Sequence, residues 1–231
     1  MLLKSNPNNH FIINLSLIKP STNQVDLSSI VQQFIIGIKQ TTFLEFVAVV
    51  SGITCVFFSK KENILVYPVG LISTIIYTYI SLKGNLFGEV SVNIYYTIMS
   101  IYGWILWTKK DAQQHLVVHI TKSTTQEWRV QLTIFGVFYV IIYVCLLWLQ
   151  RNFAPGAIPW ADAFASATAY TGMWLMAKKK IESWIWWILT NTASIPLYFV
   201  KGYVFTSVQY VVLLGLAVAG LIEWTKREQQ L

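Results

Sequence analysis

Ser59-Lys60-Lys61, Lys83-Gly84-Asn85-Leu86-Phe87 and Trp107-Thr108-Lys109-Lys110 return later in the chain, in the same order, as Ala177-Lys178-Lys179, Lys201-Gly202-Tyr203-Val204-Phe205 and Trp224-Thr225-Lys226-Arg227. The first two pairs lie 118 residues apart and the third 117, so one deletion aligns all three. Apolar helices resemble one another by chance, but polar punctuation matching at three places does not arise so easily. One unit is written twice. In each copy three apolar runs are separated by Lys-Lys, then Lys-Gly, and closed by Trp-Thr-Lys.

Composition says what the runs are for. Of 231 residues, 55% are hydrophobic and only 12% charged, where a soluble domain carries roughly a quarter charged. Mean hydropathy is +0.53, and 10 Trp and 12 Tyr raise the aromatic content to 15%. Too little polar surface exists to cover a soluble globule, so the chain reads as an all-α membrane protein whose partner is the lipid bilayer. Runs of about spanning length occur at 43–59, 64–82, 89–108, 130–150, 162–177, 181–200 and 203–224, which predicts seven spans.

Three is odd, so two such units face the same way only if an extra span separates them, and 130–150 supplies it. The expected organisation is a first three-helix unit at 43–110, a linker helix at 130–150 and a second three-helix unit at 162–228. This 3+1+3 parallel repeat about the membrane normal is the arrangement of the sugar-transporting SWEET proteins. Substrate would then sit between the two bundles near mid-membrane. A duplicated, non-transporting membrane scaffold is the competing reading.

Ahead of the repeat, residues 1–25 are polar, with one short apolar patch ended by Pro20, and read as neither signal peptide nor span. Over 26–40 the residues Leu27, Ile30, Val31, Phe34, Ile35 and Ile38 recur at three and four, which predicts an amphipathic helix lying on the membrane or on a neighbour.

The formal charge of +7 sits in short clusters between apolar runs, which suits membrane loops and gives no reason to invoke nucleic acid. Lys60, Lys61, Lys109, Lys110, Lys122, Arg129, Lys178, Lys179, Lys180, Lys226 and Arg227 fall on one side, against Lys83, Arg151, Lys201 and three N-terminal residues on the other. The positive-inside rule places the richer side, and the C-terminus, in the cytoplasm. Cys55 and Cys145 lie in apolar stretches, and His10, His115 and His119 in polar ones. Neither a metal site nor a cofactor is expected.

Two helix faces are candidates for holding a ligand. In the sixth span Trp184, Trp187 and Asn191 are spaced three and four apart, with Ser194 and Tyr198 continuing the face. An aromatic stripe ending in an amide can stack a flat ring and bond its polar edge, and Trp is the best aromatic face for a cation. The bland alternatives are an interfacial belt for Trp184 and interior packing, with an interhelical hydrogen bond, for Trp187 and Asn191. In the third span Asn93, Tyr96, Thr97, Ser100 and Trp104 form a second polar face, while Tyr95 and Tyr102 point elsewhere. Trp107 and Trp224, beside the basic loops, read as belt anchors. Pro68 and Pro196 fall in the second and sixth spans, the corresponding helices of the two units, and are hinge candidates.

Glu45, Glu89, Asp162 and Glu223 lie near span ends, where snorkelling to the interface accounts for them. With no mid-membrane carboxylate or His, a proton-coupled pump is disfavoured against passive movement. No nucleophile, acid–base pair or metal cluster supports an enzyme, so no catalytic residue is assigned.

Gly88-Glu89 followed by Asn93 and Tyr102-Gly103-Trp104-Ile105-Leu106-Trp107, with Glu182-Ser183-Trp184-x-x-Trp187-x-x-x-Asn191 and Ser194-Ile195-Pro196-Leu197-Tyr198, resembles the PnuC family of bacterial vitamin transporters over about residues 43–228. The resemblance implies a SWEET-like fold assembled as a homotrimer in the inner (plasma) membrane. It implies facilitated diffusion of a vitamin, typically nicotinamide riboside, trapped inside the cell by phosphorylation; relatives carry thiamine or riboflavin instead. The family's ring-stacking Trp transfers to Trp187 and its amide to Asn191, with Asn93 a weaker transfer.

Overall fold

The computed structural model describes residues 27–83, 87–152 and 158–230. The polar segment expected at 1–25, the Lys-Gly loop residues 84–86 and the middle of the 151–159 loop lie outside them, as does the side chain of Glu89. The described chain is all-helical apart from short connections, with helices α1 (Leu27–Gln40), α2 (Phe43–Lys60), α3 (Val66–Lys83), α4 (Phe87–Thr108), α5 (Thr125–Asn152), α6 (Pro159–Ala177), α7 (Glu182–Val200) and α8 (Val204–Glu228).

Local chemistry sets where the helices begin and end. α2 starts in a capping box, in which the Thr42 hydroxyl accepts from the Glu45 N–H at 3.2 Å and the Glu45 carboxylate accepts from the Thr42 N–H at 2.7 Å. α6 begins with Pro159 in its first position, where a missing N–H costs nothing. There Asp162 accepts from the Ile158 N–H at 2.8 Å and also pairs with Lys201. Glu223 pairs with Arg227 one turn on. These acids are caps and ion-pair partners, which explains their positions near helix ends. α2 and α6 are each followed, two residues past the end, by a left-handed residue, Glu62 with φ 57° and Lys179 with φ 53°.

α2, α5 and α8 are long and apolar enough to cross a membrane on length and composition. The other long helices carry the Ser, Thr, Asn and Tyr that lower hydropathy, and they bury them: Ser73 on α3, Asn93 and Ser100 on α4, Thr168 on α6, Thr190 and Asn191 on α7. Polar side chains thus collect inside, while α5 exposes Val137, Val140, Ile141 and Val144.

Packing runs α2 on α3 on α4, and again α6 on α7 on α8, with α5 against α6 and α1 against α8. Between the two triplets α4 packs on α6 and α2 on α8, so the third helix of each triplet lies against the first helix of the other. The contacts are reciprocal. Trp107 Nε1 donates to the Ala177 carbonyl at 3.1 Å, and Trp224 Nε1 donates to the Ser59 and Lys60 carbonyls at 3.1 and 3.2 Å. Tyr67 meets Trp107 edge-on with centroids 5.2 Å apart, as Trp184 meets Trp224 at 5.4 Å.

The structural register of the repeat is 117 residues, one less than the 118 read from Ser59/Ala177 and Lys83/Lys201. α2 and α6 end 117 apart, α4 and α8 begin 117 apart, and Tyr67/Trp184, Gly103/Gly220 and Trp107/Trp224 all keep that spacing. Lys letters in a loop slip easily, whereas the left-handed residue after a helix does not.

Three expectations change here. Trp107 and Trp224 are 4% and 0% exposed and form a core cluster with Trp184, Tyr67 and Met176, so they are no belt anchors. Trp184, at 1% exposure, belongs to that same core and to neither the belt nor the ligand face. Pro68 is the third residue of α3, in the first turn, where no intrahelical bond is lost, so it has no kink to make. Pro196 does lie inside α7.

The segment before α5 is tied down at the Lys-rich end. Ser123 donates through its N–H and hydroxyl to Glu182 at 2.9 and 2.6 Å, and Lys180 pairs with Glu127 at 2.8 Å.

Gly103 and Gly220 let the Tyr67 and Trp184 rings lie on the facing helix. A Cβ at Gly220 would stand 2.6 Å from Trp184, and one at Gly103 would collide with Tyr67. Gly103→Ala and Gly220→Ala should each cost about 1–3 kcal/mol by overpacking, read as a lower thermal midpoint of the purified protein. Gly215→Ala, facing open space, should not lower it.

Candidate functional site

α4 and α7 do not pack directly on one another; α6 packs on both. Across that gap the Tyr96 ring of α4 meets the Trp187 ring of α7, with centroids 6.2 Å apart. α6 can approach so closely because its buried face reads Ala163, Ala165, Ala167, Thr168, Ala169, Thr171 and Gly172. Gly172 is where Trp187 lies on α6: an added Cβ would come 3.4 Å from the indole.

One large residue interrupts that small-residue helix. Tyr170 stacks obliquely on Tyr95 at 4.4 Å and meets Tyr96 edge-on at 6.4 Å, and its carbonyl accepts from the Tyr95 hydroxyl at 2.9 Å. Phe138 of α5 closes the far side at 5.0 Å from Tyr170. Tyr95, expected to face elsewhere, and Tyr170 are therefore part of the aromatic wall. The signal for Tyr170 was its size among alanines and threonines. For Tyr95 there was none, because helical spacing puts it off the Asn93 face.

Asn191 stands one turn beyond Trp187 on the same face of α7 and is 3% exposed, yet no described residue gives its side chain a hydrogen bond. An amide so placed has a donor and an acceptor held ready for something else. Ser194, also buried, continues the face, and Asn93 is buried one turn from Tyr96 on α4. Thr190, on another face, is occupied, donating to Thr168 at 2.9 Å. Trp186 points away from Trp187 and donates to Gln131 of α5 at 3.0 Å; Gln131 in turn donates to Ser123 at 2.7 Å. Gln131 is a buried polar residue that periodicity did not single out.

Of the candidates, Trp187 and Tyr96 come into contact, while Asn191, Ser194 and Asn93 lie along the same two faces. Trp184 leaves the group for the core. Pro196 follows the Ile195 carbonyl, to which Ser207 of α8 donates at 2.8 Å. Among the described residues no cluster of three His, Cys, Asp or Glu side chains is placed to hold a metal ion. Aromatic faces beside an unpaired amide, with no charge among them, suit a small flat polar molecule.

The profile of the nicotinamide mononucleotide transporter family matches residues 42–226. The chain belongs to that family. It is similar to the nicotinamide riboside transporter PnuC of Neisseria mucosa, with 28% identity over 207 residues covering 85% of this chain and 77% of that one. The PnuC protein of Escherichia coli is 23% identical over 203 residues, covering 79% and 85%. The riboflavin/roseoflavin transporter RibM of Streptomyces davaonensis is 21% identical over 206 residues, covering 86% and 92%. A crystal structure of the vitamin B3 transporter PnuC superposes with a TM-score of 0.67 at 27% identity, covering 88% of this chain and 90% of that one. The match begins after α1, as did the resemblance carried by the motifs.

The two neighbouring tryptophans should separate in experiment. Trp184→Ala empties a fully enclosed site and should cost about 3–5 kcal/mol of stability, whereas Trp187→Ala, at a partly open site, should cost clearly less. Thermal unfolding of the purified variants checks the order.

Proposed function

We propose that the protein carries nicotinamide riboside across a bacterial inner membrane by facilitated diffusion, as a uniporter, with phosphorylation inside the cell preventing return. The observation that carries this reading is the buried, unpartnered amide of Asn191 one turn from the Trp187–Tyr96 aromatic pair. A pyridinium ring stacks on an indole face with a cation–π gain, and its carboxamide is complementary to a side-chain amide.

The family is named for the mononucleotide, whereas the PnuC relatives are named for the riboside. The uncharged wall favours the riboside. A phosphate monoester brings a charge of about −1.5 to −2, and Asn93, Tyr95, Tyr96, Tyr170, Trp187, Asn191 and Ser194 offer it no cation. The riboflavin-named relative supports the second reading, that of another flat-ring vitamin such as riboflavin or thiamine.

In this reading α2–α4 and α6–α8 are the two parallel units, crossing the membrane with α5 as linker to make seven spans, related by a two-fold axis along the membrane normal. The reciprocal Trp bonds support that relation. The Lys-rich end, with the C-terminus, faces the cytoplasm, and copies assemble as a homotrimer with α1 on the outer face of α8. Movement in this reading is passive, down the substrate's own gradient.

Purified protein in liposomes should take up labelled nicotinamide riboside down its gradient with no requirement for a pH gradient. Unlabelled riboside should compete; nicotinamide mononucleotide, thiamine and riboflavin should not. Asn191→Ala and Trp187→Ala should each weaken binding at least about tenfold, or 1.4 kcal/mol. Better competition by thiamine or riboflavin would transfer the site to that vitamin, and wild-type binding by both variants would remove it from α7.

A further inference from the structure

If two units are related by a two-fold axis, a residue that touches its own counterpart must lie on that axis. Three such pairs occur among the described residues. The Ser59 hydroxyl donates to the Met176 sulfur at 2.9 Å, Lys179 Nζ meets Glu62 Oε1 at 2.7 Å, and the Trp107 and Trp224 rings are 6.1 Å apart. In each pair the partners are 117 residues apart. All six residues sit where α2, α4, α6 and α8 end, beside the Lys-rich loops. Trp187 and Asn191 lie deeper, five and nine residues past the start of α7, or roughly 7 and 13 Å along its axis. The axis is therefore filled at this end of the bundle.

The charged pair is the telling member. Two equivalent positions meeting on an axis would hold like charges in an undiverged duplication, and like charges so close repel. Here one copy holds Glu62 and the other Lys179. The Lys179 side chain is 3% exposed and its ammonium lies 4.7 Å over the Trp107 ring, while Glu62 is partly open and also receives Arg227 at 3.6 Å. Both residues hold the left-handed backbone of a helix C-terminal cap, which the Asn63 N–H to Phe58 carbonyl and Lys180 N–H to Leu175 carbonyl bonds close.

We propose that Glu62 and Lys179 are the latch of a gate at the Lys-rich end of the pathway, closed in this structure, and that the pair must part for substrate to pass that end. This rests on the transport reading above. The two partners are not equivalent, and the asymmetry gives the test. Removing the carboxylate strands a buried ammonium, whereas removing the ammonium leaves Glu62 with Arg227. An unlatched gate holds the site open to one side, and uptake from the other falls with the fraction of molecules still able to present the site there.

Glu62→Gln, Lys179→Met and the double variant are reconstituted, and riboside uptake per folded molecule is measured beside the equilibrium Kd. Kd should stay within about twofold in all three, while Glu62→Gln lowers uptake about tenfold and Lys179→Met lowers it less. The double variant should resemble Lys179→Met, because no ammonium is left stranded. An ion pair with a merely structural role would move the thermal midpoint in the same order and leave uptake per folded molecule at the wild-type rate, which overturns the latch. Kd and uptake falling together, or a double variant worse than Glu62→Gln, also overturn it. Should Glu62→Gln fail to assemble, Lys179→Met with undiminished uptake decides against the proposal. A wild-type protein that neither binds nor transports would instead defeat the transport reading.

Discussion

The last carbonyls of a helix have no partner in their own helix, and where the helix end is buried no water replaces it. In this protein the carbonyls at the end of α2 and α6 are met by indole N–H groups from the other unit, Trp224 on Ser59 and Lys60, and Trp107 on Ala177. Each unit therefore ends incomplete and is completed by its counterpart. That exchange brings α4 against α6 and α2 against α8, and Tyr67 and Trp184 against the indoles. The close approach is possible because Gly103 and Gly220 offer no Cβ.

Further along the bundle, α4 and α7 do not pack on one another. α4 and α7 are kept apart by α6, whose alanines, threonines and Gly172 let both neighbours come near without meeting. Tyr96 and Trp187 then meet ring to ring beside α6, with Trp187 also packed on the edge of the aromatic core. The same side chains that depress the hydropathy of α3, α4, α6 and α7 are the ones turned inward. α2, α5 and α8, which carry fewer of them, can serve as the apolar exterior.

The repeat was readable because polar punctuation between apolar runs survives where the runs themselves diverge. Its register was misread by one residue because Lys60-Lys61 and Lys178-Lys179 match as letters, while the chain geometry equates Glu62 with Lys179, the left-handed residue after each helix. That misreading hid the opposite charges at one equivalent position. Helical spacing placed Trp187 and Asn191 on one face, and that arrangement stands in the fold. The same spacing included Trp184, and it excluded Tyr95, whose hydroxyl reaches Tyr170 from a neighbouring face. A period describes the direction in which a side chain leaves its helix and carries no information about the helix it meets.

Sequence alone pointed to a membrane protein of helical class, and its period and punctuation suggested a repeated three-helix pattern and two polar faces, because composition and period are properties of the chain itself. Only tertiary structure decided which aromatics are core and which are wall. Trp107, Trp184 and Trp224 were drawn into the contact between units, while Trp187, one turn from Trp184, stayed beside an amide without a partner. The physical reason is that a large amphipathic side chain near a helix end has several satisfactory environments, at the interface, in a core or beside a ligand. Which one it takes depends on whether a glycine or an orphan carbonyl waits on the opposing helix.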